Sequence, residues 1–154
     1  MMTPHERIRL GDLLIRQKLI TGDQLALALE AQKHNGLKLG RILVNNGFVT
    51  EVHISETLAR QFDIPFIDLR HTQVKPELVR LLHESDARRF HAIVLEENNG
   101  KLLIGMVYPN DTEAIEEVRR IVGRDIKIAV VTEGDFLEGI DRGYWRTQAI
   151  SGPQ

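Results

Sequence analysis

A chain of 154 residues that is 42% apolar suffices for one globular domain or two small subdomains, and 20 basic against 22 acidic side chains leave a net charge of −2. The absence of Cys excludes a disulfide framework, a thiolate nucleophile and cysteine metal ligands. The balance also lacks the basic footprint that general DNA or RNA binding requires. No apolar run reaches the ~18 residues of a membrane span, and MMTPHERIRLGDLL lacks a charged-then-apolar leader layout, so a cytoplasmic protein is expected.

The first half is a duplication. RLGDLLIRQKLITGDQLALALEAQ (9–32) and KLGRILVNNGFVTEVHISETLARQ (38–61) are both 24 residues long, offset by 29 and separated by KHNGL. Leu10/Leu39, Gly11/Gly40, Leu14/Leu43, Thr21/Thr50, Leu29/Leu58 and Gln32/Gln61 are identical, and six further pairs are similar. Composition alone would give about one or two identities. Each copy reads as helix, tight turn, helix, with Leu10, Leu13 and Leu14 at helical spacing in the first. Thr21 and Gln24 form a capping-box pattern that starts a helix near Gly22 and carries it to about His34. In the second copy Gly47 suits a left-handed position after a helix, and Thr50 caps the next helix, which ends near Gln61.

Beyond Phe62 the pattern changes. IPFIDL is a short extended run, and PELVRLLHESDARRF (76–90) reads as one helix opened by Pro76. HAIVLEE and KLLIGMVY flank Asn99-Gly100, a favoured hairpin turn. DTEAIEEVRRIVG is a helix closing on Gly123, DIKIAVVT a third strand, and EGDFLEGIDRGYW a last helix. The fold class expected is α+β: a four-helix tandem-repeat subdomain over 1–61, a small sheet covered by helices over 62–146, and a tail or linker over 147–154. Residues 1–61 carry +2 and the remainder −4, so an anionic small ligand is expected on the first half or at the seam.

Catalytic signatures are missing: no G-x-x-x-x-G-K-[ST], G-x-S-x-G, H-E-x-x-H or EF-hand loop occurs, and the six His are scattered without ligand spacing. No metal site and no catalytic residue are expected. The repeated R/K-L-G carries more information. Gly11 and Gly40 lack a Cβ where a helix begins, which admits either a ligand or a neighbouring helix. Arg9 offers a planar fork for a phosphate or a guanine edge, and Arg7 could add a second, although a lone arginine is ordinarily a surface charge. Gln32 and Gln61 offer donor and acceptor either to a nucleobase or to nearby backbone. Leu10, Leu14, Leu25, Leu29, Leu39, Leu43, Ile54 and Leu58 read first as core, and alternatively as the walls of a site for a flat aromatic ligand.

The paired 24-residue copies resemble the tandem motif R-L-G-x-x-[LVI]-[LVI]-x-x-G-[LVI]-[LVI]-x-x-x-x-L-x-x-x-L-x-x-Q of the MshEN-type domain, found at the N-terminus of type IV pilus and type II secretion extension ATPases. The resemblance covers about residues 7–146. It implies a cyclic di-GMP receptor domain, with ligand contacts from Arg7, Arg9, Leu10, Gly11, Leu14, Leu25, Leu29, Gln32, Lys38, Leu39, Gly40, Leu43, Ile54, Leu58 and Gln61. It implies no other cofactor and no hydrolytic activity of this chain's own, because the ATPase domain is absent from it. The implied partners are cyclic di-GMP, the C-terminal ATPase domain of the full-length protein, which would form a hexamer, and a membrane-platform protein that would bring it to the inner membrane. The sequence departs from the motif at Lys18, where Gly is expected, at Lys38, where Arg is expected, and at Ile54, where Leu is expected. YPND stands where related domains carry D-P-x-D, so Tyr108 replaces the first carboxylate and Asp111 keeps the second, as a further expected contact. A docking module that needs no nucleotide is the rival reading.

Overall fold

The computed structural model describes residues 9–151, with side chains described through residue 144. The chain divides into two compact units, Met1–Thr57 and Leu58–Gln154. The sequence reading puts that division at the end of the repeat, after Gln61; the packing division falls inside a continuous helix instead. A repeat boundary marks where a duplication ended, and a helix spanning it can contribute to two packing units.

In the first unit, α1 (Leu10–Arg16), α2 (Gly22–Asn35), α3 (Leu39–Asn45) and the start of α4 (Glu51–Phe62) follow the two copies. The turns repeat with the sequence. After α1, Lys18 takes a left-handed φ of 61°, its N–H donating to Ile15 O (2.9 Å) while Leu19 N–H donates to Leu14 O (2.9 Å). After α3, Gly47 does the same at φ 75°, with Gly47 N–H to Val44 O (2.9 Å) and Phe48 N–H to Leu43 O (3.0 Å). Both are Schellman ends, and Lys18 bears the left-handed penalty of roughly 1 kcal/mol that Gly47 escapes. Thr21 Oγ1 accepts from Gln24 N–H (3.1 Å) and Gln24 Oε1 from Thr21 N–H (3.0 Å), a complete capping box. Thr50 Oγ1 accepts from His53 N–H (3.0 Å), and with His in place of Gln at the third position the second half of the box is lost. Leu13, Leu14, Ile20, Ile42, Leu43 and Val49 form buried pairs at the 29-residue offset.

In the second unit a three-stranded sheet runs in the order β1 (Ala92–Asn98), β2 (Lys101–Met106), β3 (Ile126–Val130). β1 and β2 are antiparallel across Asn99 (φ 54°) and Gly100 (φ 81°), both in the left-handed region a tight hairpin demands. β2 and β3 are parallel, which requires a crossover; α7 (Thr112–Val122) supplies it, capped by Asp111 and closed by Gly123 at φ 67°. Phe66 makes a single parallel bridge to Val130, so IPFIDL contributes one bridged residue rather than a strand. α8 (Glu133–Ser151) packs its Gly139 and Gly143 close to Ile93 and Val79. It runs past residue 147, where the sequence reading begins a tail; residues 152–154 lie outside those described. No helix among the described residues is long and apolar enough to cross a membrane.

The single helix expected over 76–90 is two: α5 (Pro76–Val79) and α6 (Glu84–Phe90). The break has a partner. The Tyr144 hydroxyl on α8 sits at Val79 O (3.0 Å) and at Leu82 O, binding carbonyls near the end of α5. An apolar spacing that continues through 78, 79, 81 and 82 cannot reveal a tertiary hydroxyl 62 residues away. Burial, reinforced by the Glu84 carboxylate, pushes that hydroxyl up to about 12 from its ordinary 10.0. Its folded value is raised, so its contribution is whole below pH 10 and is lost as pH rises toward 12. Tyr144→Phe is expected to cost about 1 kcal/mol at neutral pH and to flatten the alkaline loss of stability, as read by denaturant melts at pH 7 and above pH 10.

Candidate functional site

The two R/K-L-G heads adopt one conformation. Arg9 is the N-cap of α1 at φ −78°, ψ 140°, and Lys38 the N-cap of α3 at φ −64°, ψ 144°; both are exposed and neither side chain caps its helix. The glycines that follow are buried. A Cβ on Gly11 would lie 2.6 Å from Leu25 Cδ1, and one on Gly40 would lie 3.4 Å from Ile54 Cδ1 and 3.4 Å from Leu10 Cδ2. Leu25 and Ile54 are the same position in the two copies, so each glycine seats its own copy's second helix. Gly40 also receives Leu10, which sets the two heads side by side. The packing role weighed for these glycines is therefore present at both. At 3.4 Å an added methyl makes ordinary contact, so Gly40→Ala is expected to keep the fold and raise its stability by about 0.5 kcal/mol through helix propensity, measured as an equal or higher melting temperature.

The eight apolar candidates divide by exposure. Leu14, Leu43 and Leu58 are fully buried, Ile54 is buried, and Leu10, Leu25 and Leu39 are half-buried; Leu29, at 43%, is exposed. The core role thus accounts for four of the eight, leaving Leu10, Leu25, Leu29 and Leu39 with surface to offer a ligand. Gln32 Nε2 donates to Leu37 O (2.9 Å), the backbone partner weighed for it, and its Oε1 has no partner among the described residues. Gln61 is exposed, and both it and Leu58 fall in the second unit on the continuation of α4. Asp111 accepts from Ala114 N–H (3.1 Å), which explains the carboxylate as a helix cap. Arg7 lies outside the described residues. The copies also differ where Thr57, buried with an unpartnered Oγ1 among the described residues, stands opposite Ala28.

No cluster of His, Asp and Glu that could hold a metal occurs among the described residues. In the second unit two open clefts, of about 460 and 320 Å³, flank the hairpin turn; Asn99 and Lys101 line both. The sequence reading missed them, because their four cations, Lys101, Arg119, Arg124 and Lys127, are dispersed along the chain among acidic residues.

Residues 62–148 match the MshEN domain. The chain belongs to the MshEN domain family. The MshEN match begins just after the second copy, so both copies stand upstream of it. The type IV pilus assembly ATPase PilB of Myxococcus xanthus is 30% identical over 136 residues, covering 88% of this chain; the chain spans about a quarter (24%) of that relative's length. A solved structure of MshE with cdg is 36% identical with a TM-score of 0.73, covering 89% of this chain and 99% of that one. A solved N-terminal domain of XpsE is 26% identical with a TM-score of 0.74, covering 88% and 94%. This MshEN chain therefore corresponds to the N-terminal domain of type IV pilus and type II secretion ATPases and not to their catalytic ATPase domain.

Proposed function

We propose that this chain is a cyclic di-GMP receptor domain that regulates a pilus or secretion ATPase. The observation that carries the reading is the side-by-side seating of two R/K-L-G heads in one backbone conformation, through Leu10 and Gly40. Cyclic di-GMP carries two guanines and two phosphates about an approximate twofold axis, so a duplicated head matches a duplicated ligand. The solved MshE with cdg supports the same assignment. Arg9 would fork onto a guanine edge or phosphate, and Lys38 would supply a single ammonium to the other half. Gln32 Oε1, which has no partner among the described residues, would accept from a guanine N–H, with Gln61 its counterpart in the second copy. Leu10, Leu25, Leu29 and Leu39 would cover purine and ribose faces, each Å² of apolar surface contributing about 25 cal/mol. Arg7, next to the first head, belongs to the same proposed set. In the full-length protein the response would pass to the C-terminal ATPase domain, a cytoplasmic hexamer held at the inner membrane by a platform protein.

Titration calorimetry with cyclic di-GMP, with GTP and cyclic di-AMP as controls, tests the reading. The expected result is one cyclic di-GMP per chain, with stabilisation of about 2.7 kcal/mol at a hundredfold excess over Kd. No heat and no shift in melting temperature from a folded protein would leave the nucleotide-free docking module in its place. Titrating the stable Gly40→Ala protein adds a control: lost affinity assigns the glycine to ligand approach as well as to packing.

A further inference from the structure

The outer edge of β3 is half used. Asp125 O accepts from Leu102 N–H (3.0 Å) and Val131 N–H donates to Met106 O (3.1 Å), so residues of odd number along β3 turn their backbone groups toward β2. Val130 turns outward: its N–H donates to Pro65 O (2.8 Å) and its carbonyl accepts from Ile67 N–H (2.9 Å). Ile126 and Ile128 share the parity of Val130, and their outward N–H and C=O groups meet no backbone partner among the described residues. Residues 65–67 thus occupy one end of an edge whose other end is open, and an open edge is a template for an added strand.

Side chains of that open end have two characters. Ile126 and Ile128, on one face, are half-buried apolar groups. Lys127, on the opposite face, stands beside Leu103 in register, and with Lys101 it lines the cleft of about 320 Å³. Both lysines are exposed and neither has an ion pair among the described residues, whereas Arg119 and Arg124 of the neighbouring cleft are paired with Glu116 and Glu97. We propose that an extended segment of a partner protein, alternating apolar and acidic residues, adds to the sheet beside Ile126–Ile128. Its backbone bonds the outward groups of Ile126 and Ile128, its apolar side chains lie over those isoleucines, and its carboxylates meet Lys127 and Lys101. An anionic lipid surface could satisfy the lysines but has no amide donors for the edge. The proposal is independent of the nucleotide site.

The test uses a fluorescent synthetic peptide of alternating Val and Glu, a Val/Lys peptide, a Val/Glu peptide methylated on alternate backbone nitrogens, and phosphatidylglycerol vesicles. Binding of the Val/Glu peptide is expected by fluorescence polarisation, with the Ile126 and Ile128 amides of the unaltered protein slowed in hydrogen exchange about tenfold or more. The two control peptides should fail, and the K101E/K127E protein should bind the Val/Glu peptide about fivefold or more weakly. Absent binding, equal binding of the methylated peptide, protection confined to other amides, or binding of vesicles without the peptide would each overturn it. The exchange readout needs no variant, so a poorly folded charge reversal does not blunt the test.

Discussion

Leu58→Ala is expected to lower the unfolding free energy by about 2–5 kcal/mol, because the side chain is fully buried and its loss leaves a cavity in a packed interior. Its counterpart in the first copy behaves otherwise. Leu29 is 43% exposed, and Leu29→Ala should change stability by under about 1 kcal/mol. Denaturant melts of the two variants separate the cases, and a small effect at Leu58 would show that its surroundings collapse into the gap. The contrast decides how the apolar walls of a ligand site can be probed. A loss of cyclic di-GMP affinity in Leu29→Ala reports on ligand contact, while the same loss in Leu58→Ala mixes contact with unfolding.

The heads give the cleaner comparison. Arg9→Ala should weaken cyclic di-GMP by roughly 1.5–3 kcal/mol, the range for a hydrogen bond to a charged group, with the melting temperature unchanged because the side chain is exposed and caps nothing. Lys38→Ala should cost less, since an ammonium makes no bidentate fork, and Lys38→Arg should leave affinity equal or higher. Calorimetry on the three proteins checks the order. Arg9→Ala binding as tightly as the parent would make Arg9 a surface charge. If changes at Lys38 leave affinity untouched while those at Arg9 reduce it, the second copy acts as scaffold alone.

Much of this fold is written locally. The duplicated helices, the capping box at Thr21, the left-handed positions at Lys18 and Gly47, the Asn99-Gly100 hairpin and the helix closed by Gly123 each depend on residues within a few positions of one another. Where the sequence reading departed from the structure, a distant group decided the outcome. Tyr144 draws on carbonyls at the α5 end and no periodicity of residues 76–90 contains it. Asp111 stood out by likeness to a motif, yet its local role as a cap is sufficient to explain it. At the candidate site the residue types were legible and their division was not: nothing in the spacing of Leu29 and Leu58 tells which one faces outward. The seating of Leu10 at Gly40 joins residues of different copies, a pairing that aligning the copies with each other cannot display.

Arg9 and Lys38 occupy positions where Ser, Thr, Asp or Asn would satisfy a helix-start N–H and contribute about 1 kcal/mol. α2, starting from Thr21 in the same unit, takes that gain in full. Two seven-residue helices, short enough to need every terminal contact, both forgo it at the same repeat position and carry a long exposed cation there instead. A capping residue at either position would restore that contribution to its helix start. The same uncapped start in both copies leaves that stability unused at each head, and optimising the caps for a hardier domain would remove the two cations that the proposed ligand contacts require.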